Sequence, residues 1–243
     1  DTPDGDFIDL DWVDGVPGQP CVVLFHGLEG SSNSAYARAL MRAIHARGWH
    51  GVVVNFRGCS GEPNRLPRAY HSGDATEVDW ILRRLHALRW PALFATGVSL
   101  GGNVLLKWLA ENAPADQAAG LLNAAATVSA PVDLAAAESE LARGVKRAYV
   151  RYFLRSLIPK ALEKAARFPD LMDAATIRRS RTLREFDEAV TAPLHGFRDA
   201  ADYYTRASAG PLLGLIKTPT LLLHASDDPF LPFSAMPAVT DLP

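Results

Sequence analysis

Two kinds of periodicity divide the chain. Residues 7–12, FIDLDW, alternate apolar and polar side chains, as a strand with one wet face does. Residues 21–26 (CVVLFH), 51–56 (GVVVNF), 91–98 (PALFATGV), 121–128 (LLNAAATV) and 219–225 (PTLLLHA) are close to continuous apolar runs. Strands buried on both faces of a parallel sheet read this way. Helical spacing falls between them. Tyr36, Leu40 and Ile44 share one face of a helix expected over 33–47 and stopped by Gly48, and further helices are expected over 74–88 and 99–111. Buried strands alternating with helices predict a doubly wound, mostly parallel α/β sheet.

The rhythm breaks over 131–210. This stretch is rich in Arg and Ala, contains YVRYFLRSL and FRDAADYYTRA, and holds no convincing strand. It is expected to be a helical cap inserted into one domain that spans 1–243. Tyr149, Tyr152, Phe153, Tyr203 and Tyr204 are expected to pack it on the core, some of them lining an acyl channel. The Arg and Lys residues of 143–184 are expected to form a solvated helix face rather than a site for anionic head groups.

Composition narrows the class. With 48% hydrophobic residues in 243, one large core is within reach. The 25 Lys+Arg against 27 Asp+Glu leave a net charge of −2, which supplies no global field for nucleic acid or an anionic membrane. Two cysteines, Cys21 and Cys59, are too few for a disulfide scaffold or a cysteine-built zinc site and point to a reducing, cytoplasmic setting. No apolar run approaches the ~20 residues that span a bilayer, and the acidic start DTPDGDF is unlike a signal peptide.

The sharpest chemical signal is Gly97-Val98-Ser99-Leu100-Gly101, between a buried strand and a helix. A serine on such a turn is forced toward strained dihedrals, small neighbours relieve the crowding, and the hydroxyl is lifted from the sheet edge at a dipolar helix start. Ser99 is the candidate nucleophile. His26-Gly27-Leu28-Glu29-Gly30 follows another strand at the same sheet edge. Attack on an acyl carbon builds charge on oxygen, and the backbone amides of Leu28 and Leu100 are the expected oxyanion donors. A carboxylate is expected after a late strand, where Asp227-Asp228-Pro229-Phe230 follows PTLLLHA; Asp228 is preferred, and Asp227 remains an alternative. His26 is read as a loop-shaping residue, and His45 and His86 as surface residues. Arg57 is expected to brace the site through backbone carbonyls. Cys59 lacks the helix start and base that a nucleophile needs.

GVSLGGN, HGLEGSS, NFRGCSG, YHSGDATEVDW, the TLREFDEAVTAPLHGF-to-DYY stretch and ASDDPF together resemble the YheT-like (ABHD1/ABHD3, EMB8) branch of the α/β-hydrolases, from about Asp4 to the last residue. The resemblance implies carboxylic ester hydrolysis of small-molecule or lipid acyl substrates without metal or cofactor, by a serine, a late aspartate and a histidine in a loop after the final strand. That histidine has no counterpart here. The seven histidines are His26, His45, His50, His71, His86, His195 and His224, and 15 residues follow Asp228. A helix of about 11 residues plus a strand of about 5 does not fit that space. The chain is therefore expected to be a fragment of a longer product, ending before the last strand and inactive by itself. Of the other histidines, His224 is expected to pack within the sheet layers, His71 to approach the pocket, and His195 to reach over Ser99 if the insertion is a lid. Acyl transfer by the same acyl-enzyme, or a catalytically inactive hydrolase-like binding domain, are the alternatives.

Overall fold

A computed structural model describes residues 1–112, 120–232 and 235–237. The apolar runs form strands β2 (Cys21–Phe25), β3 (His50–Asn55), β4 (Leu93–Val98), β5 (Ala124–Val128) and β6 (Thr220–Leu223), preceded by β1 (Asp9–Val13). Their order across the sheet is β1-β3-β2-β4-β5-β6. All neighbours are parallel except β1, which pairs antiparallel with β3. The alternating strand is thus the edge strand, and the continuous runs of β2 and β3 lie inside the sheet.

Helices α1 (Ala35–His45), α2 (Ala75–His86) and α3 (Leu100–Asn112) make the crossovers. Met41 and Ile44 of α1 meet Val22, Leu24 and Val53 on one face of the sheet. On the other face, Ile81, Leu85, Leu105 and Trp108 of α2 and α3 pack on Phe25, Val52 and Val54. Residues Leu100 to Ala110 are buried all round the helix, because α3 is enclosed by the sheet, α2 and a 3₁₀ segment at Gly210–Leu215.

The order reverses between β2 and β4. From β2 the chain steps to β3 on one side, then crosses back to β4 on the other. Register places Phe25 opposite both Val54 and Gly97, so the loops leaving β2 and β4 emerge side by side. A crevice at the carboxyl ends of such strands is where open α/β sheets hold ligands.

Between β5 and β6 the described residues hold helices only: α4 (Leu134–Leu141), α5 (Arg147–Arg167), α6 (Ala174–Arg179), α7 (Leu183–Phe186), a π-helical segment at Asp187–Thr191, α8 (Ala192–His195) and α9 (Ala200–Ala207). They build a small core of their own from Val150, Leu154 and Leu157 of α5 against Ile177, Phe186 and Val190. Two expected strands shorten: β5 starts at Ala124, after buried Leu121 and Leu122, and β6 ends at Leu223. His224 accordingly sits half-buried past the end of β6 rather than within the sheet layers.

Candidate active site

Ser99 closes β4 and opens α3 with φ at +51°, a left-handed backbone that a side chain rarely tolerates. Its amide donates to Val128 O at 2.9 Å, and its carbonyl accepts from the amides of Gly102 (2.8 Å) and Asn103 (3.1 Å). The neighbouring glycines are dictated by contact. A Cβ on Gly97 would lie 2.4 Å from Gly101 O, and one on Gly101 would lie 2.2 Å from Phe25 O. The turn is wedged against β2, which leaves the serine side chain only the open side.

That side faces the loop after β2. A Cβ on Gly27 would come within 3.2 Å of Ser99 Cβ. Behind it, His26 is fully buried, accepting from the Phe56 amide on Nε2 (3.1 Å) with Nδ1 against Gly27 O (2.8 Å). Burial pushes the imidazole down to about 4. It is a neutral strut that shapes the loop. Tyr36 accepts from the Gly27 amide, Tyr70 from the Glu29 amide, and Gly27 O from the Gly30 amide, each at 2.9 Å. Among the described residues no acceptor takes the Leu28 amide between them. Leu100 begins α3, where first-turn amides have no intrahelical acceptor.

Glu29 holds this loop from a left-handed backbone of its own, φ +55°. Its carboxylate accepts from Tyr70 Oη (2.9 Å) and pairs with Lys160 Nζ of α5 (2.8 Å). Neither Glu29 nor Tyr70 was legible as a site residue, since the partner on α5 lies far away in sequence. Ser99, Leu28 and Leu100 line a cavity of about 670 Å³ whose walls include Leu141, Phe186 and Val190 from the insertion. Asp187 stands in that wall on the π-helical segment. Burial pushes its carboxyl up to about 6, against hydrogen bonds from Thr191 (2.6 Å) and Tyr204 (2.8 Å).

The acidic turn follows β6 at the same sheet edge, two strands from Ser99. Asp227 is exposed, whereas half-buried Asp228 accepts from the Phe230 amide at 2.8 Å, and Phe230 lines the cavity. His224 has both ring nitrogens buried without a partner among the described residues; burial pushes its imidazole down, with Asp228 opposing.

Four expectations need correction. His195 does not reach over Ser99: its ring nitrogens lie 2.8 Å from Thr191 O and 2.9 Å from Ala69 O, which fix it on the loop before α2. Arg57 braces carboxylates, not carbonyls; its guanidinium, 2% exposed, meets Glu77 (2.7 Å), Asp4 (3.0 Å) and Asp6 (3.1 Å) and fastens the amino-terminal segment to α2. Tyr203 and Tyr204 are buried, but Tyr149 and Tyr152 are exposed. The basic residues of the insertion divide: Lys164 donates to Leu66 O and Arg68 O, and Arg167 to Asn64 O and Arg65 O, so they dock α5 on the core while others face solvent. His71 does line the cavity, its ring 4.5 Å from that of His195 and pushed down to about 3 by burial. Cys59 is buried with its thiol pushed up to about 12, no state for a nucleophile.

The chain matches the family described as alpha/beta hydrolase fold over residues 20–242, and it belongs to that family. Within it, the chain falls in the YheT-like branch. YheT of Escherichia coli strain K12, designated an esterase, is 45% identical over an alignment covering 100% of this chain and 72% of that protein. Phospholipase ABHD3 of mouse is 32% identical, over 98% of this chain and 60% of its own length. The fold recurs in the solved esterase Pf2001 of Pyrococcus furiosus, with a TM-score of 0.60, 13% identity, and coverage of 99% of this chain and 73% of that one. It recurs also in Est1E of Butyrivibrio proteoclasticus, with a TM-score of 0.58, 14% identity, and coverage of 96% and 80%.

Proposed function

We propose that this protein is a serine hydrolase of carboxylic esters whose acyl substrates occupy the cavity beneath the helical insertion, which acts as its cap. The observation that carries the reading is the strained Ser99 turn, which opens onto an apolar cavity of about 670 Å³ beside the Leu28 amide, unpartnered among the described residues. Ser99 Oγ attacks the ester carbonyl and gives its proton to an imidazole. The Leu28 and Leu100 amides hold the oxyanion, the alcohol leaves with that proton, and water releases the acid by the reverse sequence. Asp228 orients the imidazole. His26 and His195 are committed to backbone partners, so neither is assigned as that imidazole. The relatives named esterase and phospholipase support the reaction class.

The test is labelling by a fluorophosphonate. The protein is expected to be labelled and Ser99→Ala to remain unlabelled; an inert protein would instead mark a hydrolase-like binding domain.

A further inference from the structure

The loop after β2 presents the Leu28 amide beside a residue in an unfavourable backbone state. Glu29 has φ +55°, which penalises any Cβ, and such a conformation persists only where surrounding contacts over-determine it. Three sets of contacts do so here, and each leads to the insertion.

The first is the carboxylate. The Glu29 side chain is 5% exposed, and its Oε2 lies 2.8 Å from Nζ of Lys160, a cavity-lining residue of α5. An ion pair between two wet side chains contributes little. This one differs, because removing Lys160 would leave a buried charge without that counter-ion. The second is Tyr70. Its hydroxyl accepts from the Glu29 amide and donates to Glu29 Oε1, both at 2.9 Å, so one phenol grips the backbone and the side chain of the same residue. Tyr70 ends a loop that the insertion itself holds. Lys164 and Arg167 bond carbonyls of residues 64–68, and His195 lies against Ala69 O, the residue before Tyr70. The third is Leu28, whose side chain packs against both the core of the sheet and the core of the insertion.

Fastening α5 to the core needs no contact at Glu29, since Lys164 and Arg167 already dock that helix. The added contacts converge on the residue after Leu28. The residue before it, Gly27, stands against Ser99 and is held by Tyr36. The peptide that carries the Leu28 amide is thus fixed at both ends. We propose that Glu29 is a positioning residue through which the insertion, by way of Lys160 and Tyr70, aims the Leu28 amide at the oxyanion formed on Ser99. The inference deepens the acyl-ester reading, on which it rests. It makes the insertion a support of the oxyanion donor as well as a wall of the cavity.

Two readouts test it. Amide hydrogen exchange followed by NMR requires no turnover. In Lys160→Met the hydrogen-bonded Glu29 and Gly30 amides should exchange about tenfold faster than in the parent. Lys160→Arg should keep the parent rate, and so should Lys146→Met, which removes an ion pair internal to the insertion. Phosphonylation by a fluorophosphonate, followed over a series of reagent concentrations, reads the oxyanion donor. Glu29→Gln and Lys160→Met should slow the bond-forming step about tenfold, a fraction of the roughly 10²–10³-fold that losing a donor outright costs. The reversible binding constant of the reagent should not change. A side chain that merely lines the cavity would weaken that binding and spare the bond-forming step. That outcome, or parent-like exchange in Lys160→Met, would overturn the proposal. If the parent itself resists phosphonylation, the acyl-ester reading fails, and the exchange rates still decide whether Lys160 holds the loop.

Discussion

At Ser99 the side chain and the backbone want different things. A left-handed φ penalises any Cβ, by about 1–2 kcal/mol, yet the turn retains one. Ser99→Gly is therefore expected to melt at a higher temperature than Ser99→Ala, since both lose the hydroxyl but only glycine relieves the backbone. Calorimetry of the two variants checks this, and equal melting temperatures would mean that the turn is not strained. Gly101 has the opposite problem. With Phe25 O 2.2 Å from where a Cβ would stand, Gly101→Ala must push the start of α3 away from β2, and a loss of about 1–3 kcal/mol or more is expected in urea unfolding. The two aspartates separate at this scale as well. If the proposed hydrolysis runs on Ser99, Asp228→Asn should reduce kcat by about 10⁴-fold, while Asp227→Asn should act as a surface change. The reverse ranking would reassign the acid. These residues were readable in sequence because the glycine spacing reports a local steric demand. Glu29 and Tyr70 were not, because their roles depend on Lys160 and on each other across 41 positions.

Among the elements, α5 is the one whose sequence misleads. Its Arg and Lys residues look like a uniform wet face, but the fold sorts them into three duties. Lys164 and Arg167 satisfy four carbonyls of residues 64–68, Lys160 holds Glu29, and Arg147, Arg151 and Arg155 are exposed with no carboxylate partner among the described residues. Lys164→Met would leave two carbonyls without their donor, a loss of about 1–3 kcal/mol, and α5 should be cut faster in limited proteolysis than in the parent. Unchanged cleavage would show that the apolar face of α5 suffices to hold the insertion down. The helical content of 131–210 was plain from the absence of alternating runs. The π-helical segment that puts Asp187 into the cavity wall was not, since one extra residue in a turn leaves no mark on a hydrophobic pattern.

For the molecule as a whole, four carboxyl groups held in hydrogen bonds or ion pairs set opposing pH limits. Burial opposes ionisation of Asp4, but Thr2 and Arg57 hold it down to about 2, and Asp6 is lowered likewise by Asn64 and backbone amides. Their contribution is present above the ordinary 3.8 and disappears as pH falls toward 2. Burial raises Glu77 to about 7, helped by Asp74 and opposed by Arg57, and raises Asp187 to about 6. Their contribution is full below the ordinary values of 4.5 and 3.8 and is lost as pH rises through 7 and 6. Stability is thus expected to peak on the mildly acidic side. Asp187→Asn should flatten the decline toward neutrality and Asp4→Asn the decline in acid, as melting temperatures across pH would record; a curve unmoved by Asp187→Asn would exclude that carboxyl as its source.

The order of strands and helices, the serine turn, the amide-bearing loop and the late acidic turn were all written locally, because each follows from periodicity or from contacts within a few residues. Folding alone decided which of these meet. Strand order brought the loops after β2 and β4 together, the helices between β5 and β6 supplied walls of the cavity they line, and packing turned His26 and His195 into backbone partners. Those outcomes depend on where distant segments come to rest in space, and a linear pattern carries no record of distance.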